Sequence, residues 1–503
     1  MPISFGSYLL WLATIAILFC ASIAIRRIWF HPLSRFPGPK LWAATRVPYI
    51  ISLLRGTLNQ KMADFHAKYG DVVRLAPNEL SFGCEEAWRD IYMYRPGHKE
   101  TKKDARWYLA PRNAPQNIVT TTDIHVRARM RRLLAPSFND QSLSKQSPVL
   151  EHYAELVLER LKSIVERRPK GQDSITINML NWINFYTMDI IGDLALGESF
   201  HCLDSSTYHP WVTTLYTFFK GMIIASAARF FWITSLLIEH MVPKDIAEKQ
   251  KYHTDFTNAK VAQRLEMKTE RPDLITPFLR DMENSPEKMS LGEIQSTFAI
   301  ILVAGSETTA TTLLACLFEL ASNPDVQEKL YRIVKRKFSV ESQITVSSTA
   351  DMPYLDAVIN EALRLCYPVP GGLPRLVVED GDTYAGHFVP GGTAISIRPY
   401  VVFRSPKYFA KNLSFVPERW LPPSERPLEY ANDRLSACQP FSVGPTNCIG
   451  KPLAWAEMRI LLTKIIWNFK LAMSKEKPFT WEDQHMMMVV EKSDLYLQVS
   501  KRV

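Results

Sequence analysis

The sequence predicts a mainly α-helical protein with small β-sheets, one globular unit behind a single membrane-spanning helix. Three observations carry this. The N-terminal residues Ile3–Ile25 contain no charge and are followed at once by Arg26 and Arg27. Apolar residues recur at helical spacing in several long stretches, whereas alternating, strand-like runs are few and short. No Ser/Gly/Pro-rich linker divides the chain after about residue 45, although 503 residues would by length alone suggest about three domains.

The apolar run comes first. Its 23 residues span ~35 Å at ~1.5 Å per residue, enough to cross a bilayer with some tilt. Basic residues follow the run (Arg26, Arg27, Arg35, Lys40) and none precedes it, a bias that places the following domain in the cytoplasm. A cleaved signal peptide would carry a basic segment ahead of the apolar run, and here it is missing. His31-Pro32 and Phe36-Pro37-Gly38-Pro39 then make a stiff, non-helical elbow. The expected organisation is an anchor over 1–26, a proline-rich elbow over 27–45 and one globular domain over 46–503.

Composition narrows the function classes. At 47% hydrophobic and 22% charged the chain can bury a large core, and its net charge of +9 is mild for the length. The basic residues are dispersed rather than interleaved with aromatics, which points away from nucleic acid. Seven cysteines lie scattered without CxxC spacing, which argues against a zinc site or a disulfide scaffold and suits a reducing compartment.

Two short strands are expected around the Pro77-Asn78 turn within Asp71–Phe82. Residues 95–122 read as a long loop, and a basic helix follows, with Arg127, Arg129, Arg131 and Arg132, ending near Pro136. Arg127 and Arg131 share a face of it; a solvated basic face is the plain alternative. Helices are expected from Pro148 to about Lys162 and over Trp182–Leu196. Residues 211–238, with Phe218-Phe219 and Phe230-Phe231-Trp232, read as core or as a pocket lid. Ser290-Leu-Gly-Glu293 is a capping box that opens a long apolar helix. Inside that helix lies Ala304-Gly305-Ser306-Glu307-Thr308-Thr309, whose acid and hydroxyls are costly unless partnered or used. Gly305 leaves room for a flat ligand to approach the backbone. Asp356–Leu365 is a further helix with Glu361 and Arg364 on one face, short strands are expected near Asp382–His387 and Thr393–Arg398, and Gln484–Val490 reads as a strand.

The stretch Phe441–Gly450, Phe-Ser-Val-Gly-Pro-Thr-Asn-Cys-Ile-Gly, presents a cysteine on a tight turn before a helix. Gly444 and Gly450 permit backbone shapes closed to other residues, and Pro452 suits a first helical turn. Cys448 is thereby placed where helix-terminal amides favour an anion, and a thiolate can ligate a metal. A buried structural cysteine is the plain alternative.

Taken in order, the anchor and proline elbow, the basic helix, Ala304–Thr309, Glu361 with Arg364, Phe415-Val-Pro-Glu-Arg-Trp420 and Phe441–Gly450 resemble the cytochrome P-450 family of haem-thiolate monooxygenases. Met130–Phe138 and Asp189–Glu198 look like its microsomal fungal members, often found in secondary metabolism. The resemblance implies a triangular, helix-rich single domain and haem b. Cys448 would be the metal ligand, with Phe441 packed beside it, and Ala304 and Gly305 against the haem face. Glu307 and Thr308 would be the acid–alcohol pair that relays protons. Arg127, Arg131 and Arg375 would meet the haem propionates, and Glu361, Arg364 and Arg419 would form a structural triad supporting the cysteine loop. Two positions depart from the pattern. Arg127 stands where Trp or His is commoner. Thr446 stands where the loop normally carries Arg or His, so one propionate partner is missing, and Thr446→Arg is expected to slow haem loss.

The resemblance further implies a cytoplasm-facing enzyme of the endoplasmic reticulum that hydroxylates or epoxidises a lipophilic small molecule, such as a terpenoid or polyketide. Its electrons would come from an NADPH-dependent reductase, with cytochrome b5 as a further candidate donor. The pocket wall is expected in 95–122, Val369–Leu373 and Met486–Met488, with a lid over 199–240. The rival readings are a haem-thiolate isomerase or dehydratase, against which the intact Glu307-Thr308 pair counts, and a non-catalytic haem-binding membrane protein, which only Thr446 supports.

Overall fold

A computed structural model describes residues 5–108, 114–241, 243–267 and 270–502, and the side chains of 213–220 and 237–241 lie outside the description. The side chains of Phe218 and Phe219 and the 109–113 part of the expected pocket wall therefore lie outside the description. The apolar run forms a helix over Phe5–Trp29, none of it buried, with Arg26 and Arg27 in its last turn. It outlasts the expected anchor because nothing between Ile25 and Trp29 breaks a helix.

The elbow is packed onto the domain. The Arg27 side chain donates to the Ala44 carbonyl at 2.9 Å, Arg74 donates to the Arg27 carbonyl at 2.9 Å, and the Arg74 amide donates to Pro37 at 2.8 Å. Trp42, Ala43 and Ala44 are buried on a short helix, Lys40–Ala44, against the first strand.

The centre of the domain is the helix Leu291–Ser322, 32 residues long and so ~48 Å. Its capping box forms as expected: Ser290 Oγ accepts from the Glu293 amide at 3.3 Å, and Glu293 returns a carboxylate to the Ser290 amide at 2.8 Å. It is apolar and long enough to span a bilayer, but it is mostly buried in the protein and is a core helix. Met179–Leu196 packs along it. The basic helix runs Ile124–Leu134, with Asp123 capping two of its amides, and ends in a 3-10 turn at Ala135–Phe138. The next helix, Asp140–Glu166, starts earlier than expected and carries Pro148 inside it. The proline removes one hydrogen bond without ending a helix whose buried face runs on from Leu150 to Val165.

Five short strands form one sheet in the order Val72–Ala76, Glu79–Phe82, Ala394–Ile397, Arg375–Leu376, Lys102–Lys103. Its last pair is antiparallel and sets Lys103 opposite Arg375. Ile175–Asn178, Tyr496–Lys501 and Phe469–Met473 make a second sheet. Gln484–Val490 is not one strand: His485–Met486 and Val490–Glu491 pair as a hairpin, closed by the Met487 amide on the Val489 carbonyl at 3.2 Å. The alternating pattern could not distinguish the two because the turn uses methionines rather than Gly or Asn. The region 95–122 likewise contains a strand and a short helix, Ala105–Tyr108, whose Trp107 and Tyr108 join Tyr49, Ile223 and Met487 in one apolar cluster.

Candidate active site

The cysteine loop is held by its own backbone. The Cys448 amide donates to the Phe441 carbonyl at 2.9 Å, closing the loop on itself. Gly444 has φ of +72°, and a Cβ there would lie 2.1 Å from the Tyr92 carbonyl oxygen, so only glycine fits. Gly450 has an ordinary φ of −81° and caps the helix Lys451–Asn468; this corrects the expectation that it too needs special backbone freedom. The helix begins three residues after Cys448, yet the backbone N–H groups of Gly450 and Lys451 reach the sulfur. Burial pushes the thiol up, while those amides and the charges of Arg131 and Lys451 pull it down. Cys448 keeps accessible surface. Apart from Cys20 in the anchor, the other cysteines are all buried. Burial drives Cys84 and Cys202 up to about 12, with Asp71 and Asp189 adding to the rise. Those are structural thiols. Phe441 is half-buried, with Trp455 6.3 Å away and the Lys451 ammonium over its ring.

On the central helix, Ala304 is exposed and Gly305 and Thr308 are half-buried between buried neighbours, and residues four apart share a face. That face is the open one. Gly305 borders it, but a Cβ there would lie 2.9 Å from Ile191 Cδ1. The space on its Cβ side is taken by the neighbouring helix, while the residue itself stays half-exposed beside Ala304. Thr308 Oγ1 donates to the Ala304 carbonyl at 2.6 Å. Glu307 is buried and pairs with Lys492, which the sequence reading missed. Nothing around Lys492 singles it out, since Glu491-Lys492-Ser493-Asp494 reads as a solvated turn.

The arginines expected at the propionates are brought close to the loop. Arg131 donates to the Asn447 carbonyl at 2.8 Å and to its side chain at 2.5 Å. Arg127 is buried, against the alternative of a solvated face, and pairs with Glu100 at 2.9 Å. Arg375 is buried, lies over the rings of Tyr92 and Tyr108, and donates through Nη2 to Thr446 Oγ1 at 2.8 Å. Its Nη1 has no hydrogen-bond partner among the described residues. Thr446 is thus not an empty place in the loop but an acceptor for Arg375. An arginine there would replace this acceptor with a second guanidinium beside that of Arg375.

Lys103 completes the cluster, and no sequence spacing announces it. It is buried, opposite Arg375 in the sheet, and its ammonium donates to the carbonyls of Ile118 and Val119 at 3.0 and 2.7 Å. Burial, then Arg375 and Arg127, bring it down from its ordinary 10.5 to about 7. Like charges directly opposed across a strand pair are destabilising, and Glu100 is the one anion that opposes this at Lys103. An orphaned guanidinium nitrogen amid crowded cations fits a dianionic group, as the Cys448 thiol fits a soft metal.

Glu361, Arg364 and Arg419 form a fully buried constellation. Arg364 grips both Glu361 oxygens at 2.8 and 2.7 Å, and Arg419 Nε reaches Oε1 at 3.0 Å. Trp420 Nε1 donates to the same carboxylate, Arg364 donates to the carbonyls of Phe403 and Asn412, and Arg419 pairs with Asp433. The triad therefore ties the helix Pro353–Leu365 to the segment that leads into the cysteine loop.

A cysteine loop of this form, facing a long helix and braced by such a triad, defines a haem-thiolate protein. The chain belongs to the cytochrome P-450 family, whose pattern it matches over residues 37–499. It is 38% identical over 480 residues to the cytochrome P-450 monooxygenase lcsI of Purpureocillium lilacinum, covering 95% of this chain and 91% of that protein. It is 39% identical over 503 residues to averantin hydroxylase of Dothistroma septosporum, 99% and 90% of the two chains. Trichothecene C-15 hydroxylase of Fusarium sporotrichioides is 36% identical over 483 residues, 95% of each. The protein is an oxidoreductase of the monooxygenase class, its family implies a haem cofactor, and it acts on a small molecule with electrons from a redox partner. Relatives with these names do not favour the isomerase or dehydratase reading.

Proposed function

We propose that this chain is anchored by Phe5–Trp29 in the endoplasmic reticulum membrane, faces the cytoplasm, and hydroxylates or epoxidises a lipophilic secondary metabolite with electrons from an NADPH-dependent reductase, cytochrome b5 being a second donor. The observation that carries the site assignment is Cys448, an interior thiol with accessible surface at which two backbone N–H groups and two cations are directed. Haem held there by Cys448 would supply dioxygen activation. The amides of Gly450 and Lys451 and the charges of Arg131 and Lys451 hold the sulfur in its thiolate form. Arg375, Arg131, Arg127 and Lys103 hold the propionates, with Lys103 standing in for the loop cation that Thr446 replaces. Ala304 keeps the helix face beside that site small, and Thr308 with Glu307 would hold and pass protons there. The apolar cluster of Trp107, Tyr108, Ile223 and Met487 supports a wall that excludes water and selects a lipophilic substrate.

Orientation rests on Arg26 and Arg27 beside the anchor. The catalytic reading is tested with the full chain in membranes, reconstituted with reductase and NADPH. Thr308→Ala is expected to keep haem and consume NADPH but release hydrogen peroxide instead of product. Unchanged coupling of NADPH to product refutes the relay.

A further inference from the structure

The helix Phe5–Trp29 meets the domain over a cavity of about 360 Å³, walled by Arg26 and Arg27 from its last turn, by His31 and Arg46, and by Arg106 and Phe230. That volume is in the range of small-ligand sites. Its lining is rich in donors and short of anions. Glu79 is held between Arg46 at 2.5 Å and Arg398 at 2.8 Å, and Asp104 is gripped by Arg106 at 2.7 Å. Arg26 has no hydrogen-bond or ion-pair partner among the described residues, and Arg27 donates only through Nη1, to the Ala44 carbonyl. His31 Nδ1 accepts from the Leu33 amide at 3.1 Å, so in the neutral ring the proton sits on Nε2, which has no partner among the described residues. Burial, then the charges of Arg74, Arg26 and Arg27, hold His31 below its ordinary value, and no anion opposes them. Arg46 is only 5% exposed and lies 4.0 Å from the centre of the Phe230 ring, with Arg106 over the same ring at 5.1 Å. Cations enclosed together in this way repel one another, and an anion among them offsets the repulsion.

We propose that this cavity binds the phosphate of an anionic membrane phospholipid, with Arg26, Arg27, His31 and Arg46 as its donors. The assignment rests on the reading of Phe5–Trp29 as a membrane anchor. A spanning helix brings its flanking arginines to the membrane surface. Here those arginines are also the cavity's wall, so the cavity opens where lipid phosphates lie. Clustered basic groups beside a spanning helix recognise anionic headgroups. Phe231 lines the cavity as well, and Trp232, Ile233 and Leu236 next to it are exposed. This apolar surface suits acyl chains and offers nothing to free phosphate. The bound lipid ties the anchor to Arg46 and, through Glu79 and Arg398, to the five-stranded sheet. It thereby sets the tilt of the domain on the membrane.

The test uses the full-length, haem-loaded protein in phosphatidylcholine vesicles doped with phosphatidate, released in mild detergent and read by native mass spectrometry. One retained phosphatidate per chain is expected in the wild type, in preference to the more abundant phosphatidylcholine. Retention is expected to fall several-fold in the double variant Arg26→Gln/Arg27→Gln and in Arg46→Gln. It is expected to stay at the wild-type level in Arg35→Gln/Lys40→Gln, which removes two charges from the same elbow but outside this cavity. Equal losses in the two double variants would reveal a diffuse basic surface and overturn the proposal, as would retention no better than that of phosphatidylcholine. Added inorganic phosphate is expected to leave the lipid bound; its replacement of phosphatidate on the chain overturns the lipid assignment. Should Arg46→Gln fail to fold, the two double variants, all at exposed or half-buried positions, decide the matter. Release of the chain from vesicles by alkaline carbonate overturns the anchor reading and the proposal with it. A chain that stays in the membrane and retains no phosphatidate overturns the proposal alone.

Discussion

Replacing Lys103 by methionine tests the electrostatic account of the propionate side most sharply. Within the fold, from the protein's own groups, the Lys103 ammonium falls from 10.5 to about 7, through burial first and then Arg375 and Arg127. Each pKa step is ~1.4 kcal/mol, so charging Lys103 costs the haem-free protein about 5 kcal/mol. The sign follows from linkage. Above pH 7 and up to the unfolded value the folded lysine is neutral while the unfolded one binds a proton, so stability rises with pH over that window and the full cost is present below it. A dianion beside Lys103 reverses the shift, so haem binding takes up about one proton above pH 7. Haem affinity of the wild type is then expected to fall as pH rises from 7 to 9, by up to about tenfold per pH unit. The same curve for Lys103→Met should lack this component. The assay is haem transfer to a scavenger protein across that range, read as the wild-type-minus-variant difference so that other titrating groups cancel. Parallel curves would refute the reasoning and leave Lys103 as a plain structural contact to Ile118 and Val119.

Gly305→Ala brings a methyl to 2.9 Å from Ile191 Cδ1; overpacking of this kind costs roughly 1–3 kcal/mol, less about 1 for the better helix former. Denaturant unfolding of the double-mutant cycle with Ile191→Val should show favourable coupling, whereas weakened haem binding without rescue would mean that Gly305 faces the ligand after all. Asn412-Leu413-Ser414 is the chain's N-x-Ser/Thr sequon, and a cytoplasmic domain leaves it unglycosylated. A gel shift on endoglycosidase treatment would reverse the orientation.

Much of this site was legible because its chemistry is local in sequence. The loop cysteine, the capping box at Ser290 and the Glu361/Arg364 spacing each declare themselves within a few residues, and the family resemblance supplied Arg419. What stayed hidden depends on pairing between distant segments. Lys103 acquires meaning only through its register against Arg375, and Lys492 only because the C-terminal hairpin delivers it to Glu307. The packing of Gly305 against Ile191 was hidden for the same reason, since a missing side chain does not say which neighbour meets it. Thr446 looked like a loss from sequence because its partner, Arg375, lies 71 positions away.

The most direct measurement is the ferrous carbon-monoxide spectrum of the full-length protein and its Cys448→Ala variant. Thiolate ligation by Cys448 predicts a strongly red-shifted Soret band in the wild type and its disappearance in the variant. A red-shifted band that survives Cys448→Ala would show that another residue holds the iron and would contradict the account at its centre.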